Sequence, residues 1–337
     1  MKHVLVTGGA GYIGSHTVIS LVEQGYHPVI LDDLRNSAET ILNGLNTLCS
    51  VNFTHINIDI CDYKSVRAVF SSYSIEAVIH FAAYKSVGES CLLPLKYYQN
   101  NLIALMNMLE ACTEFSVSTF VFSSSCTVYG EPDQKQVFEY TPKRLPESPY
   151  GYTKWMGEQI IEDLYRNNPS FNTVCLRYFN PIGAHPSGLI GELPVGIPNN
   201  LLPYITQTAA GLRDFLTIFG NDYSTPDGTC IRDYIHVCDV ADAHVCALDL
   251  KAVQPLNTFN IGTGKGTSVL EMVNYFIAVT GQSLPFRFGP RRSGDITEIY
   301  ANVDHAKQQL GWAAKRTIEE AIGDAWRWEQ KHLKSND

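Results

Sequence analysis

Six short apolar runs, each bounded by turn residues, punctuate the first 180 residues. They are HVLVTG (3–8), HPVILDD (27–33), NFTHINIDI (52–60), EAVIHFAA (76–83), STFVFSSS (118–125) and NTVCLRYFN (172–180). Helical patterning fills the intervals, as in the stretch after Gly14 and in LIALMNMLEAC (102–112). Strands this apolar have no polar face to show water, so they belong in a sheet covered on both sides. Alternation with helices makes that sheet parallel and doubly wound, an α/β architecture. The alternation lapses after Asn180. PIGAHPSGLIGELPVGIPNN (181–200) is rich in Pro and Gly, as a boundary or a ligand-covering loop is. Short helices and strands follow without regular order. The expected division is one domain over 1–180 and a smaller, mixed α/β domain over 181–337, parts of which return to the first.

The first strand runs into TGGAGYIGSH, where Gly8, Gly11 and Gly14 are spaced GxxGxxG and Gly9, Gly11 and Gly14 satisfy GxGxxG. Glycines allow the tight turn and let backbone N–H groups approach a pyrophosphate at the following helix N-terminus. Between a strand and a helix, at the head of an alternating pattern, this is a Rossmann-type dinucleotide site. The second strand ends in Asp32 and Asp33, near the offset at which an acid grips the ribose hydroxyls of NAD and repels the extra phosphate of NADP. Arg35 is the complication, because an arginine there can accept that phosphate. Two acids ahead of one arginine favour NAD.

SPYGYTKWMGEQ (148–159) carries two tyrosines and a lysine. On a helix, residues four apart share a face and residues two apart do not. Tyr150 and Lys154 therefore pair, and Tyr152 points elsewhere. A free phenol has a pKa of about 10. A nearby ammonium favours the phenolate, which makes Tyr150 a candidate base and Lys154 its partner. FVFSSSCTVYG (120–130) ends a strand where open α/β sheets place their chemistry. Ser123, Ser124 or Ser125 could supply a hydroxyl bridging a substrate and Tyr150.

The formal net charge is −9, without a run of Lys or Arg, which disfavours nucleic acid and acidic membrane surfaces. Nine scattered cysteines form no CxxC pair, so neither a disulfide framework nor a zinc pattern is expected and a reducing compartment, the cytoplasm, is. His236, Asp239, Asp242 and His244 are spaced poorly for zinc; the two acids suit a helix start. No metal is expected. Arg232 and Arg291–Arg292 are the candidates for a diphosphate clamp, since guanidinium groups bind phosphate bidentately.

Together TGGAGYIG, HFAAYKSVGES, SSSCTVYG, SPYGYTK, RYFNPIGAHPSG, IPNNLLPY, GTCIRDYIHVCDVADAH and RRSGD resemble the UDP-galactose (UDP-glucose) 4-epimerases of the extended short-chain dehydrogenase/reductase superfamily, over essentially the whole chain. The glycine and YxxxK motifs point to the superfamily, and IPNNLLPY and RDYIHV to the epimerases. The resemblance implies transient oxidation at sugar carbon 4 by NAD, rotation of the 4-keto sugar, and hydride return to the opposite face. It implies Tyr150 as base, Lys154 as its partner and Ser125 as the hydroxyl that helps move the proton. For NAD it implies Gly8, Gly11, Tyr12, Ile13, Gly14, Asp32, Asn36, Ser37, Asp59, Ile60, Phe81, Ala82, Ala83, Lys85, Asn100, Tyr178 and Phe179, with Tyr150 and Lys154. For the UDP-sugar it implies Asn180, Asn200, Leu201, Thr217, Phe219, Arg232, Arg292 and Asp295, besides Lys85, Ser125, Tyr150 and Phe179.

Two departures from the family pattern bear on chemistry. Cys126 replaces an alanine beside Ser125. Ile299 stands where a tyrosine accompanies UDP-hexoses alone and a small residue admits an N-acetyl group, so side activity on UDP-N-acetylhexosamines is an open expectation. A nucleotide-sugar 4,6-dehydratase would need an Asp-Glu pair where Cys126 and Thr127 stand. A non-catalytic NAD sensor would not need Tyr150, Lys154 and Ser125 together. The resemblance also implies a homodimer through the helices containing QNNLIALMNMLEAC and Tyr150.

Overall fold

The computed structural model describes residues 2–50, 52–167, 171–250, 257–292 and 294–336; Ser293 of the RRSGD stretch lies outside them. Seven parallel strands form the main sheet, in the order Asn257–Ile261, Asn172–Tyr178, Thr119–Ser125, Ile75–His80, His3–Thr7, His27–Leu31 and Thr54–Ile56. Six of them are the six apolar runs. Of NFTHINIDI only Thr54–Ile56 is paired, at the outer edge of the sheet.

Successive side chains of each strand enter opposite layers. Val4, Val6, Ile30, Ile79, Val121 and Val174 join the core beneath the helices Tyr12–Glu23, Glu39–Cys49 and Val237–Leu248. Leu5, Val29, Leu31, Val78, Phe120, Phe122 and Cys175 join the other, beneath Tyr63–Ser72, Pro94–Glu114 and Pro149–Asn167. The strand order reverses between His3–Thr7 and Ile75–His80, which opens a crevice at the strands' C-terminal ends.

The two halves of the chain interleave. The outer strand Asn257–Ile261 and the helix Val237–Leu248 lie beyond residue 180 but belong to the main sheet and its covering layer. The strand Gln136–Val137 travels the other way and pairs with Glu298–Ala301, in a small sheet that also holds Ile231–Arg232 and Thr267–Ser268. A third core, with Leu202, Ile205, Met272, Phe276 and Ile322, packs the helices Leu201–Ala209, Val269–Thr280 and Ile318–Asn336 together.

Candidate active site

The glycine turn is shaped by backbone crowding. Gly8 has φ +69°, and a Cβ there would stand 2.8 Å from the Ala82 nitrogen. A Cβ on Gly14 would stand 2.2 Å from the Gly8 carbonyl oxygen. The helix Tyr12–Glu23 that follows starts at Gly11 with no side-chain cap and no acid in its first turn. Its free N–H groups and positive dipole end therefore face the crevice, ready for an anion.

Every residue expected at the cofactor except Phe179 lines this one cleft. Asp32 accepts from the Ala10 and Leu34 amides at 3.0 and 2.9 Å, and burial raises its pKa. Ser37 donates to the Ala10 carbonyl at 2.5 Å. Arg35 is held by both Asp33 and Asp59 and also donates to Asn100. These contacts raise its pKa and occupy the guanidinium, which removes the NADP complication and leaves the acids to favour NAD. Tyr12 donates to the Gly183 carbonyl at 2.7 Å, tying the turn to the Pro/Gly-rich segment. Phe81 packs on His244, ring centroids 4.5 Å apart. The crowded glycine turn, the uncapped helix and the Asp32 carboxylate fit a dinucleotide.

At the nicotinamide end of such a ligand the three serines take different partners. Ser125 accepts from the Thr127 amide at 3.3 Å and stands near enough to Tyr150 for its hydroxyl to oppose the rise in the phenol's pKa. Ser124 donates to Glu158 at 2.5 Å. Ser123 bonds the Tyr178 hydroxyl through its own hydroxyl and accepts from the Lys154 ammonium, 2.7 Å away, through its carbonyl. Tyr150 and Lys154 both line the cleft, whereas Tyr152 lies near Tyr98, whose pKa is raised by burial first and by Tyr152 second.

The fold adds an influence on Tyr150 and Lys154 that their spacing does not show. Burial pushes the phenol up to about 12, with the Ser125 hydroxyl opposing it, and burial pushes Lys154 down to about 8. The ammonium is directed at the Ser123 carbonyl and sits over the Phe122 ring at 5.0 Å. Low-dielectric surroundings penalise both charged forms.

The residues expected at the UDP-sugar fall into two groups. Lys85 and Asn200 line the cleft and both donate to Glu192, at 3.0 and 2.6 Å; Leu201 opens the next helix. The second group centres on Asp295, which accepts from Arg292 at 2.7 Å and lies 3.9 Å from Arg232. The Arg292 guanidinium stands 5.7 Å above Phe219, on the strand that also holds Thr217. Ile299 pairs with Arg232 across the small sheet and is buried with Phe179 in a cluster around Tyr129. Asn180 follows, its amide donating to the Asp233 carbonyl.

The four residues weighed as a loose metal cluster have other partners. The His236 ring accepts from the Cys238 amide and faces Asp324, Asp239 and Asp242 hold Arg316, and His244 bonds the Val240 carbonyl. Cys126 is free, like the other eight cysteines.

Comparison with known proteins decides the kinship. The family described as GDP-mannose 4,6 dehydratase matches residues 5–325. A UDP-glucose 4-epimerase of Bacillus subtilis is 49% identical over 98% of this chain and 97% of its own. The chain belongs to the UDP-glucose 4-epimerase family. Among solved structures, the family member from Stenotrophomonas maltophila, with bound NAD and formylated UDP-arabinopyranose, superposes with a TM-score of 0.96 at 44% identity over 99% of this chain and 100% of that one. The Bifidobacterium longum member, in complex with NAD+ and UDP, gives 0.95 at 41% identity over 98% and 99%. The broader dehydratase description does not carry its chemistry here, because Cys126 and Thr127 stand at the acid-pair positions and neither suits acid–base work at neutral pH.

Sequence reasoning passed over Glu158, Arg177, Glu192 and His80. Glu158 is four residues past Lys154, a spacing that marks it. Arg177 opens the RYFNPIGAHPSG stretch without a signal of its own partner, and Glu192 stands in no motif.

Proposed function

We propose that this chain interconverts UDP-galactose and UDP-glucose, with Tyr150 as the group that takes and returns the proton of the sugar 4-hydroxyl. The observation that carries this reading is the meeting of Tyr150, Ser125 and Lys154 at the strand ends beside the glycine turn. Bound NAD supplies a reversible hydride acceptor at carbon 4. Gly8, Gly11, Gly14 and Asp32 would hold its pyrophosphate and ribose, and Tyr178 and Phe179 would flank the reacting end.

The phenol's high pKa means that it parts with its proton only when positive charge is near. Lys154, at about 8, is still mainly protonated at neutral pH and supplies part of that charge. Ser125 passes the proton between the substrate hydroxyl and Tyr150. Arg232 and Arg292, now shared through Asp295, are suited to hold the diphosphate, while Asn180, Asn200, Leu201, Thr217 and Phe219 hold the rest of the nucleotide. Binding energy placed on UDP leaves the sugar free to turn over between its two faces.

In this reading residues 1–180 with the returning strand form the NAD lobe, and most of 181–337 forms the UDP-sugar lobe. The protein works as a homodimer, supported by the exposed Ile103 and Met106 on the helix Pro94–Glu114. Among the described residues no helix is long and apolar enough to cross a membrane; nine free thiols fit the cytoplasm.

The test is to supply UDP-galactose without added NAD. UDP-glucose should form with no lasting rise in NADH, and Tyr150→Phe should lower the rate at least a thousandfold. Equal rates in the two proteins would remove Tyr150 from the chemistry. The same assay with UDP-N-acetylgalactosamine reports whether the site bordered by Ile299 admits an N-acetyl group.

A further inference from the structure

Glu158 is fully buried, yet no part of the proposed proton chemistry uses it. It stands one turn beyond Lys154 and two beyond Tyr150 on the helix Pro149–Asn167, so the three side chains form a row on one helix face. Opposite that row the strand Thr119–Ser125 ends in three serines. Tyr150 meets Ser125, Lys154 meets Ser123, and Glu158 meets Ser124. Ser124 points into the helix-side layer, in line with Phe120 and Phe122.

The carboxylate has more partners than a structural ion pair requires. Arg177, directly across the ladder from Ser124, donates to Glu158 through Nε at 2.8 Å and through a terminal nitrogen at 2.7 Å. Lys143 adds a third donor at 3.1 Å. These cations lower the carboxyl pKa despite its burial, so the group is ionised and its bond to Ser124 is charge-assisted, the stronger kind. Arg177 also donates to the Tyr129 hydroxyl, which donates to Asn260 on the outer strand.

We propose that Glu158, through Ser124, is a positioning residue that fixes the register of the Tyr150–Lys154 helix against the serine strand. Without that bond the helix can shift along the strand while its apolar contacts persist. Tyr150 and Lys154 then leave their geometry together, and a misplacement of about 1 Å can cost on the order of a hundredfold in rate.

The inference rests on Tyr150 as the proton-handling group, so Tyr150→Phe is measured alongside. Glu158→Gln leaves Arg177 and Lys143 partly uncompensated and risks misfolding. Ser124→Ala is the cleaner variant, because Glu158 keeps its three cationic donors. In the NAD-loaded enzyme, Ser124→Ala should lower kcat for UDP-galactose about tenfold, keep KM within about twofold, and keep Tm within a few degrees. A kcat per folded site equal to the parent's, or a raised KM at unchanged kcat, overturns the proposal. So does a loss of rate matched by an equal loss of folded protein. If Tyr150→Phe is itself as fast as the parent, the reading of the site fails and not merely this refinement.

Discussion

Gly14→Ala should all but strip the protein of NAD, and the geometry says how severely. The added Cβ would lie 2.2 Å from the Gly8 carbonyl oxygen and 2.9 Å from the Gly9 Cα, against about 3.4 Å for ordinary contact. Both obstacles are backbone, so no side chain can rotate away; the turn itself must move by about 1 Å. Alanine's intrinsic helix advantage over glycine, about 1 kcal/mol, opposes this but is smaller than the one to three kcal/mol that overpacking a rigid contact costs. The turn also carries the amides that approach the pyrophosphate, so the displacement falls on binding. At the upper end of that overpacking range, which contact with rigid backbone favours, the net loss is about 2 kcal/mol, or roughly thirtyfold weaker affinity. Gly11→Ala is the graded comparison. Its Cβ meets the same oxygen at 3.1 Å, a shortfall of a few tenths of an ångström, and should weaken NAD less than about fivefold. Gly88→Ala, with nothing within 4 Å, should change nothing or raise Tm slightly. NAD released per mole of purified protein, and the Kd of stripped protein for NAD, provide the measurements. If Gly14→Ala binds NAD within twofold of the parent, or Gly11→Ala is the weaker binder, crowding of the turn is not what shapes the site.

Acid should destabilise the fold through three buried histidines. Burial lowers His16 and His80 to about 3 and His244 to about 4, from an ordinary 6.5. In the folded state these pKa values lie below the unfolded value, so the contribution is complete above about pH 6.5 and is lost as pH falls toward 3–4. Each proton taken up only on unfolding adds a slope of about 1.4 kcal/mol per pH unit. Urea unfolding at pH 7 and pH 5 measures it, and His80→Asn should flatten the slope by one proton; an unaltered slope counts against the assignment. Cofactor choice offers another check. Asp33→Ser with Asp59→Asn frees Arg35 from both acids, and the ratio of NADP to NAD affinity should rise about tenfold. A ratio that does not move would mean that Arg35 does not reach the ribose edge.

Much of this was legible in the chain because the signals are local. An apolar run with no polar face marks a covered strand wherever it lies, and the glycine spacing reports a turn formed by neighbouring residues. The Tyr150–Lys154 pair is one helical turn long, so periodicity alone sorted it from Tyr152. What escaped depends on residues far apart in sequence. Asn257–Ile261 has polar side chains at Asn257, Thr258 and Asn260, which disguise it as a loop; it becomes a strand because Asn172–Tyr178 offers a free edge and Asn260 bonds Tyr129 and Val137. The surroundings of Tyr150 were hidden for a related reason. A lysine four residues away is visible in the sequence, whereas the desolvation comes from every element packed around the helix. The bond between Arg177 and Glu158 crosses from strand to helix, and only the fold brings it about.

That outer strand has a consequence for how the protein is made. The main sheet is finished on one side by residues 257–261, and the helix Val237–Leu248 covers the helix that begins at the glycine turn. A ribosome must therefore release some three-quarters of the polypeptide before either can dock. Until then the nascent NAD lobe carries an open edge and a bare apolar flank, and it is in that interval that chaperones have most to protect.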